Sequence, residues 1–552
     1  MERQEHSNSA KTKTLVHKKM KRLLTSLLAL CSIATLGAQL PIVGGSLSGS
    51  VESNSIYYMN DSALGDAAIK FGSNDYVKLT YYNDNLTVGL QGDAYLPALI
   101  GYDDIRNAGA TDPRFALSQI FVSYRGRNFE VTAGDFFEQF GSGLAYRSFE
   151  DRQLGLNSAT QGVRVNYSPI GDLTIKAFAG RPRLAVIDHA GSFIGGLDAS
   201  YNLSSALGMD NTLLMVEGSY VARYEDLHKE GSEIFDMNIF EMVGLTTPLT
   251  HLFSGRANFD WNRISLKGEV VAKTIDLSEQ TDPEAHSGLA VLGEASYSKG
   301  AFNIMAQGRL LKNMGTRLSL YDTSMGNALN YIPALTRQHT YLLANLEPHQ
   351  VNTHSELAAQ ADLYYSIRNK KDRRNFWRFH ANVSYAHNLE FGNLTWMDIN
   401  VDVERQWNKY WKAAFMFSRQ TRNPNKGFSD MLYTSNIFVA DVTHKIDNKN
   451  SIRAELQYLY SNDYEGDWVA ALLEYNMAPS WSIFVSDMYN HQRIETYRDK
   501  INYYSGGVSY TTGPVRVQLS YGRNRAGMVC SGGVCRYTPA YTGFNLLMSA
   551  TF

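Results

Sequence analysis

Apolar and polar side chains alternate along most of this chain, and the alternation limits the possible folds more than any other feature. Residues 397–404 show the pattern clearly, since their odd positions are apolar and their even positions are polar. The apolar residues are Met397, Ile399, Val401 and Val403, and the polar ones are Asp398, Asn400, Asp402 and Glu404. Successive side chains of a β-strand point to opposite faces, so this period indicates strands with one apolar and one polar face.

About two dozen such segments occur, many of about 9–13 residues, which is the length of a tilted strand that crosses a bilayer. Strands of soluble proteins are shorter, and one soluble sandwich does not accommodate so many long ones. Hydrocarbon cannot satisfy free backbone N–H and C=O groups, so such a sheet has to close on itself. The sequence therefore predicts an all-β fold, a single transmembrane antiparallel β-barrel of about 24 strands, with about 22–26 allowed.

The connections between the segments alternate in length. Short turns such as Asn83–Asn85 and Asp447–Asn450 are followed by long polar stretches such as 138–161 and 312–355. Outer-membrane barrels have short periplasmic turns and long extracellular loops, which gives the barrel an expected orientation. Strand counts from the two chain ends disagree over residues 233–254, where one crossing is either missing or extra.

Other classes of protein find little support in the sequence. No run of 18 apolar residues occurs, which argues against membrane-spanning helices. With 52 Lys and Arg against 54 Asp and Glu, the formal charge is −2, so no nucleic-acid partner is expected. No G-x-S-x-G, H-E-x-x-H or Walker pattern occurs, and we predict neither catalysis nor a cofactor.

The N-terminus has the parts of a secretory signal in the required order. Basic residues precede an apolar stretch at 23–36, and residues 36–38 resemble a cleavage site. The basic residues are Lys18, Lys19, Lys21 and Arg22. We expect residues 1–38 to be a signal peptide and residues 39–552 to form the outer-membrane barrel. Cys31 raises the alternative of a lipid anchor, but the residue before it is not small, as lipidation requires.

Two cysteines remain in the expected mature chain, Cys530 and Cys535. An exported protein meets an oxidising compartment, so a disulfide between these two neighbouring residues is the main prediction. It would lie in the last extracellular loop. Two free thiols are the alternative.

Two parts of the chain resemble known proteins. The last strand has apolar residues at every second position, namely Phe544, Leu546, Met548, Ala550 and Phe552. It resembles the signal through which bacterial barrel assembly machinery recognises outer-membrane proteins. The stretches Ala133–Leu144, Tyr146–Gly155 and Arg536–Ala540 are similar to an uncharacterised, porin-like family of Bacteroidota outer-membrane barrels. The resemblance implies a location in the cell outer membrane, contact with lipid and lipopolysaccharide, and assembly through the strand ending at Phe552, but no activity.

A charged stretch lies among glycines and aromatic residues between Gly134 and Gly155. Its charged residues are Asp135, Glu138, Arg147, Glu150, Asp151 and Arg152. The glycines permit positive φ and close packing. Folded into the lumen, the stretch would constrict it, with arginines facing carboxylates across an aqueous path. The alternative is a surface loop whose charges pair for solubility; we favour an inward or rim position.

The polar face of 397–404 and its neighbouring segments supplies candidate lumen-lining residues. These candidates are Asp398, Asn400, Asp402, Glu404, Arg378, Lys412 and Arg453. The acidic spacing superficially resembles a calcium loop, but that loop needs Gly at its sixth position, where Val403 stands. A solvated lumen wall is the main interpretation, and an ion-selective stripe is the alternative.

The longest connection, 312–355, contains three histidines, His339, His349 and His354. Their spacing matches no standard ligand set, so no metal site is predicted. Long ordered loops are often functional, and both a lumen plug and a cap that docks a partner remain open.

Two functions are compatible with these features. The leading prediction is a passive channel for small hydrophilic solutes or ions. The alternative is a non-enzymatic structural or docking subunit of an outer-membrane secretion or surface-assembly complex, with a lumen blocked by loops.

Overall fold

The computed structural model describes residues 40–42, 44–102, 114–184, 189–227, 244–277, 285–322, 326–463, 465–492, 500–531 and 534–552. The expected signal peptide, residues 1–38, lies outside the described residues. No helix in the described part of the chain is long and apolar enough to cross a membrane.

A closed antiparallel barrel of 24 strands makes up the fold, which confirms the predicted fold class. Each strand pairs with the next along the chain, and the last strand pairs with the first from Ser50↔Thr551 to Met59↔Thr542. The strands, numbered here in chain order, are β1 Gly45–Met59, β2 Phe71–Asn83, β3 Leu86–Tyr95, β4 Arg114–Arg125, β5 Phe129–Phe136, β6 Thr160–Ile170, β7 Leu173–Pro182, β8 Phe193–Asn202, β9 Thr212–Tyr224, β10 Leu249–Trp261, β11 Ile264–Asp276, β12 His286–Lys299, β13 Phe302–Lys312, β14 Ser355–Arg368, β15 Phe376–His387, β16 Leu394–Gln406, β17 Trp411–Arg422, β18 Tyr433–Lys445, β19 Asn450–Ser461, β20 Asp467–Met477, β21 Trp481–Gln492, β22 Asn502–Thr512, β23 Val515–Asn524 and β24 Tyr541–Thr551.

The two ends of the barrel differ in the length of their connections. At the short-turn end, strands are joined by segments as brief as 84–85, the longest carrying a helix at Leu203–Leu207. Both chain termini of the barrel lie at this end, where a short strand at Leu40–Ile42 also pairs with the start of β1. At the long-loop end, residues 225–248 form one connection between β9 and β10, of which 228–243 lie outside the described residues. That single connection resolves the disagreement over 233–254 and makes the strand number even.

The strands have an apolar outer face and a polar inner face. In β16, Ile399 and Val401 are 37% and 47% exposed, whereas Asp398 and Asn400 are completely buried. This is the reverse of a water-soluble fold, in which exposed positions are polar, and it is the pattern of a barrel whose outer wall contacts lipid. Aromatic side chains such as Trp411 are exposed near the short-turn end.

Candidate functional site inside the barrel

The long connection after β5, residues 137–159, folds inward as two small ladders; we call it the first inserted loop. Gln139–Phe140 pairs with Tyr146–Arg147, and Glu150–Asp151 pairs with Leu156–Asn157. Gly141 has φ +56°, and a Cβ there would come within 2.4 Å of Arg256 Cδ on β10. Only a residue without a side chain fits this close approach of the loop to the inner wall.

Two carboxylates lie at the base of the first inserted loop, Asp135 on strand β5 and Glu138 in the loop itself. Asp135, at the end of β5, is buried and accepts a hydrogen bond from the Ile120 backbone N–H at 2.8 Å, with Arg183 Nη2 3.6 Å away. Glu138 Oε1 accepts a hydrogen bond from Lys176 Nζ at 3.1 Å. Arg164 Nη1 lies 3.8 Å from the other Glu138 oxygen. The contacts of Glu138 with β6 and β7 therefore hold the loop against the wall, whereas Asp135 joins wall residues to one another.

The remaining charged residues of the first inserted loop also have partners. Arg147 lies over the Tyr331 ring, 3.8 Å from its centroid. Arg152 Nη1 is 2.8 Å from Glu52 Oε2 on β1, and Glu150 accepts a hydrogen bond from Gln91 on β3 at 2.7 Å. The side chain of Asp151 accepts a hydrogen bond from a backbone N–H within the loop. The stretch thus lies inside the barrel, where its arginines and carboxylates contact the wall and, through Tyr331, the connection between β13 and β14.

Residues 313–354, between β13 and β14, form the second inserted loop. Its first part contacts the inner wall near β8 to β11. Arg223 Nη1 on β9 donates to the Arg317 carbonyl at 2.6 Å, and Lys273 Nζ on β11 donates to the Gly315 carbonyl at 2.8 Å. These contacts fix the loop against one side of the barrel.

The second part of this loop contacts the opposite wall. The Leu343 backbone N–H donates to Gln457 Oε1 on β19 at 2.9 Å, and Gln420 Nε2 on β17 donates to the Ala344 carbonyl at 3.0 Å. His339 Nε2 is 2.9 Å from Asp398 Oδ2 on β16. Since β9 and β19 lie ten strands apart in a ring of 24 strands, the loop spans the lumen.

The two inserted loops pack against each other. The Arg147 backbone N–H donates to the Leu329 carbonyl at 3.1 Å, and the Tyr331 N–H donates to the Gly143 carbonyl at 2.9 Å. Buried apolar side chains from both loops and from the inner wall of β5 to β13 form one cluster. Its members are Phe136, Phe140, Leu144, Ala145, Tyr146, Phe178, Ile194, Val221, Leu252, Val271, Ala290, Leu311, Met314, Leu318, Leu329, Ile332 and Val351. The long-loop half of the interior is therefore a packed core over this side of the barrel.

A third element covers the loops from the long-loop end. The hairpin Gly527–Ser531 with Val534–Thr538 contains a disulfide between Cys530 and Cys535. Arg536 lies over Tyr102, 3.8 Å from the ring centroid, and its Nη2 donates to the Gln153 carbonyl of the first inserted loop at 2.9 Å.

One buried carboxylate attaches the second inserted loop to the rim. Glu225, directly after β9, accepts hydrogen bonds from the Ser319 hydroxyl and from the Leu320 backbone N–H at 2.6 Å. Burial raises the pKa of Glu225, while these two hydrogen bonds act in the opposite direction.

The chain matches a protein family over nearly its whole length, since residues 20–552 match the Family of unknown function (DUF6029). The chain belongs to DUF6029. No curated protein matches this DUF6029 chain. The proposed Bacteroidota origin stays a prediction.

Solved structures resemble the DUF6029 barrel only in general architecture. The P pilus usher (PapC) translocation pore has 11% identity and a TM-score of 0.44, covering 92% of this chain and 99% of that one. The siderophore receptor PirA from Pseudomonas aeruginosa has 10% identity and a TM-score of 0.41, covering 92% and 80%. The copper transporter OprC has 11% identity and a TM-score of 0.39, covering 93% and 81%. Likenesses this distant carry no information about the function of the DUF6029 chain.

The candidate lumen-lining residues of this DUF6029 chain lie either beneath the second inserted loop or nearer the short-turn end. Asp398 and Asn400 are buried beneath the second inserted loop. Nearer the short-turn end, Glu404 pairs with Arg378 at 3.4 Å and with Lys412 at 3.2 Å. Two further candidates have partners as well: Arg337 of the second inserted loop donates to Asp402 at 3.0 Å, and Arg453 is 3.0 Å from Asp441.

Sequence reasoning missed several inner groups. Arg309 Nη2 on β13 donates to Glu356 Oε1 on β14 at 3.0 Å, and Arg223 Nη2 donates to Asp276 Oδ1 at 2.6 Å; all four side chains are buried. Alternation places each of them on an inner face, but it gives no signal that a distant loop would cover them. Among the described residues, no group of three or more His, Cys, Asp or Glu is arranged to hold a metal ion.

Two cavities differ in their position: one borders the first inserted loop, and the other lies at the short-turn end with no residue of either inserted loop in its lining. One of about 400 Å³, the seam cavity, lies between the first inserted loop and the inner wall where β23 and β24 meet β1 and β2. Its polar lining includes Glu52, Arg152 and Arg516. The other, of about 670 Å³, opens among the turns of the short-turn end and is lined by Arg374, Lys409 and other residues.

Proposed function

We propose that this DUF6029 protein is a closed outer-membrane barrel that acts as a non-enzymatic structural or docking subunit of a secretion or surface-assembly complex. The observation that carries the proposal is the pair of inserted loops, which fill the long-loop half of the lumen. The second loop reaches from Arg223 on β9 to Gln457 on β19, so the obstruction extends from wall to wall. An open pore gains nothing from a packed apolar core across its lumen.

The outer-membrane location rests on the outer surface of the barrel. Exposed apolar side chains cover the wall, and closure leaves no free edge to be satisfied in hydrocarbon. In this orientation the short-turn end faces the periplasm and the long-loop end meets lipopolysaccharide. Residues 1–38 would be removed as a signal peptide, and the strand ending at Phe552 would be recognised by the barrel assembly machinery.

A passive channel for small hydrophilic solutes or ions is the second candidate, and the seam cavity is the observation that favours it. This cavity has a polar lining, and Glu52 and Arg152 contact each other there at 2.8 Å. A solute path that avoids the second inserted loop would run along this side. Under this candidate, Arg152→Ala changes single-channel conductance and ion selectivity; under the closed-barrel proposal there is no conductance to change.

Liposome swelling with small sugars separates the two candidates. The purified full chain is expected to give no swelling, and replacement of residues 316–352 by a short Gly-Ser linker is expected to produce it. A control replaces residues 62–66, which are exposed or half-buried in the loop between β1 and β2. Circular dichroism checks that both variants keep their strand content. Swelling by the unaltered protein would overturn the closed-barrel proposal and support the channel.

A further inference from the structure

The short-turn end carries an unusual concentration of positive charge on three consecutive turns. These turns are 369–375 between β14 and β15, 407–410 between β16 and β17, and 446–449 between β18 and β19. Their basic residues are Lys370, Lys371, Arg373, Arg374, Lys409 and Lys449, and their acidic residues are Asp372 and Asp447. We call this set of turns, together with Lys445 at the end of β18, the basic mouth.

Turns on the rest of the short-turn end do not share this charge. The other eight are 84–85, 126–128, 171–172, 203–211, 262–263, 300–301, 478–480 and 513–514. Between them they contain two basic residues, Arg127 and Arg263, and three acidic ones, Asp84, Asp172 and Asp210. The whole chain has a formal charge of −2, so the basic mouth is a local feature and does not reflect composition.

The cations of the basic mouth are exposed, and no carboxylate of the described residues lies within ion-pair distance of the five named next, although Lys449 stabilises ionised Asp447 in its own turn. Lys370, Lys371 and Arg374 are all exposed, as are Lys409 and Lys449. Within the part of the chain that the structure describes, none of these five forms an ion pair. Clustered like charges repel one another and destabilise the compact state, and an external anion relieves that cost.

Four cations of the basic mouth line one cavity of about 670 Å³ at this end. Arg374, Lys409, Lys445 and Lys449 line it, together with polar groups of the inner wall. The carboxylate in the lining, Asp447, is occupied within its own turn, where it accepts hydrogen bonds from two backbone N–H groups and from an asparagine side chain. The cavity therefore presents positive charge to whatever enters from the short-turn end.

The size and position of the basic mouth decide between kinds of anion. Adjacent turns are two strands apart, so at about 4.8 Å per strand the three turns span about 20 Å. That width exceeds one phosphate or one lipid headgroup and matches about six residues of extended peptide. The exposed Trp377 and Trp411 on the outer face mark the membrane boundary, and the cavity lies on the inner side of the wall.

We propose that the basic mouth is the docking surface for an acidic, extended segment of a periplasmic protein. The inference deepens the proposed docking role and rests on it for the orientation of the barrel. Because the inserted loops close the long-loop half, the segment reaches the cavity from the periplasmic side. Charge complementarity supplies the recognition, and the open cavity supplies the room.

The test measures binding of a fluorescent octaglutamate peptide to the full chain in nanodiscs of zwitterionic lipid, by anisotropy, with octaglutamine as the neutral probe. A triple variant carries Lys371→Gln, Arg374→Gln and Lys409→Gln. Its control removes the same charge from the rest of this end through Arg127→Gln, Arg263→Gln and Lys299→Gln. Binding is expected to weaken about tenfold in the triple variant and to change less than about twofold in the control.

Three outcomes would overturn the inference. These are no binding of octaglutamate, equal losses in the two triple variants, or displacement of the peptide by nanodiscs containing phosphatidylglycerol, which would assign the surface to anionic lipid. Liposome swelling distinguishes this failure from that of the proposed function. A barrel that conducts contradicts the closed role, whereas a sealed barrel that ignores the peptide contradicts only the docking surface.

Discussion

The two halves of the barrel interior contain the same chemical groups in different surroundings. In the long-loop half, Arg309 and Glu356 form an ion pair whose side chains are 3% and 0% exposed. In the short-turn half, Lys267 and Glu294 form a pair at a similar distance whose side chains are 54% and 23% exposed. Strand alternation puts both pairs on the inner wall, and the inserted loops alone make one of them dry.

This difference shows that the free-energy contribution of an ion pair on the inner face of a barrel depends on what covers the pair. An ion pair in water contributes little, because solvent screens it, whereas removal of one partner from a buried pair leaves an uncompensated charge. The loops thus convert a solvated wall into a core whose polar groups must be satisfied. The stability of the inserted loops then depends on the hydrogen bonds and ion pairs that these buried polar groups make.

Among the substitutions considered, Glu356→Gln should destabilise the protein most. The substitution removes the charge opposite the buried guanidinium of Arg309, and we expect the free energy of unfolding to fall by about 3–5 kcal/mol. Urea unfolding in lipid vesicles measures it. The matched control, Glu404→Gln, removes a half-buried carboxylate whose partners Arg378 and Lys412 are both exposed, and should cost less than about 1 kcal/mol. Equal losses in the two variants would show that both halves are equally wet.

A pair of leucines on β19 sharpens the comparison between the core and the outer wall. Leu459 is 5% exposed and belongs to the cluster around Leu343 of the second inserted loop, whereas Leu456 is 57% exposed on the outer face. Leu459→Ala should lower the free energy of unfolding by about 2–4 kcal/mol, because a cavity remains in packed protein. Leu456→Ala should cost less, since lipid chains refill the space. A larger loss at Leu456 would mean that the loop does not pack there.

The fold could be predicted from local patterns, and the site could not. Alternation in segments such as 397–404 identifies strands and their inner faces, so the barrel follows. Its strand number could be bounded only to about 22–26, because the counts from the two chain ends disagreed over 233–254. The contacts that close the lumen join distant positions, such as Arg147 with Leu329 and Leu343 with Gln457. No local signal specifies such pairs. Glycines among charged residues at 134–155 indicated an inward or rim position, but not the partners of each charge.

Low pH should destabilise the protein through Asp61, which lies at the long-loop end where the first and last strands meet. Burial raises the pKa of Asp61, but hydrogen bonds from Arg523 and Thr542 outweigh it and hold the pKa at about 2, below the ordinary value of 3.8. A lowered pKa means that ionised Asp61 stabilises the fold above its ordinary pKa, and that this contribution is lost as the pH falls from about 4 to about 2.

Comparison of the unaltered protein with Asp61→Asn checks this effect. The difference between their free energies of unfolding should shrink across that pH window, because the variant has no charge to lose. Asp66→Asn, an exposed position in the same loop, is the control and should leave the pH dependence unchanged. Parallel curves for the unaltered protein and Asp61→Asn would contradict the assignment.

The smallest expected effect tests the open half directly. In a double-mutant cycle with Lys267→Gln and Glu294→Gln, the coupling free energy should be about 0.2–1 kcal/mol at low salt. It should vanish in 1 M NaCl, where the Debye length is about 3 Å. The corresponding cycle at Arg309 and Glu356 should keep its coupling in the same salt, because ions cannot reach a side chain that is 0% exposed. If the coupling of Lys267 with Glu294 survived high salt, water would be excluded from the short-turn half as well. The inserted loops would then not be what separates the two environments.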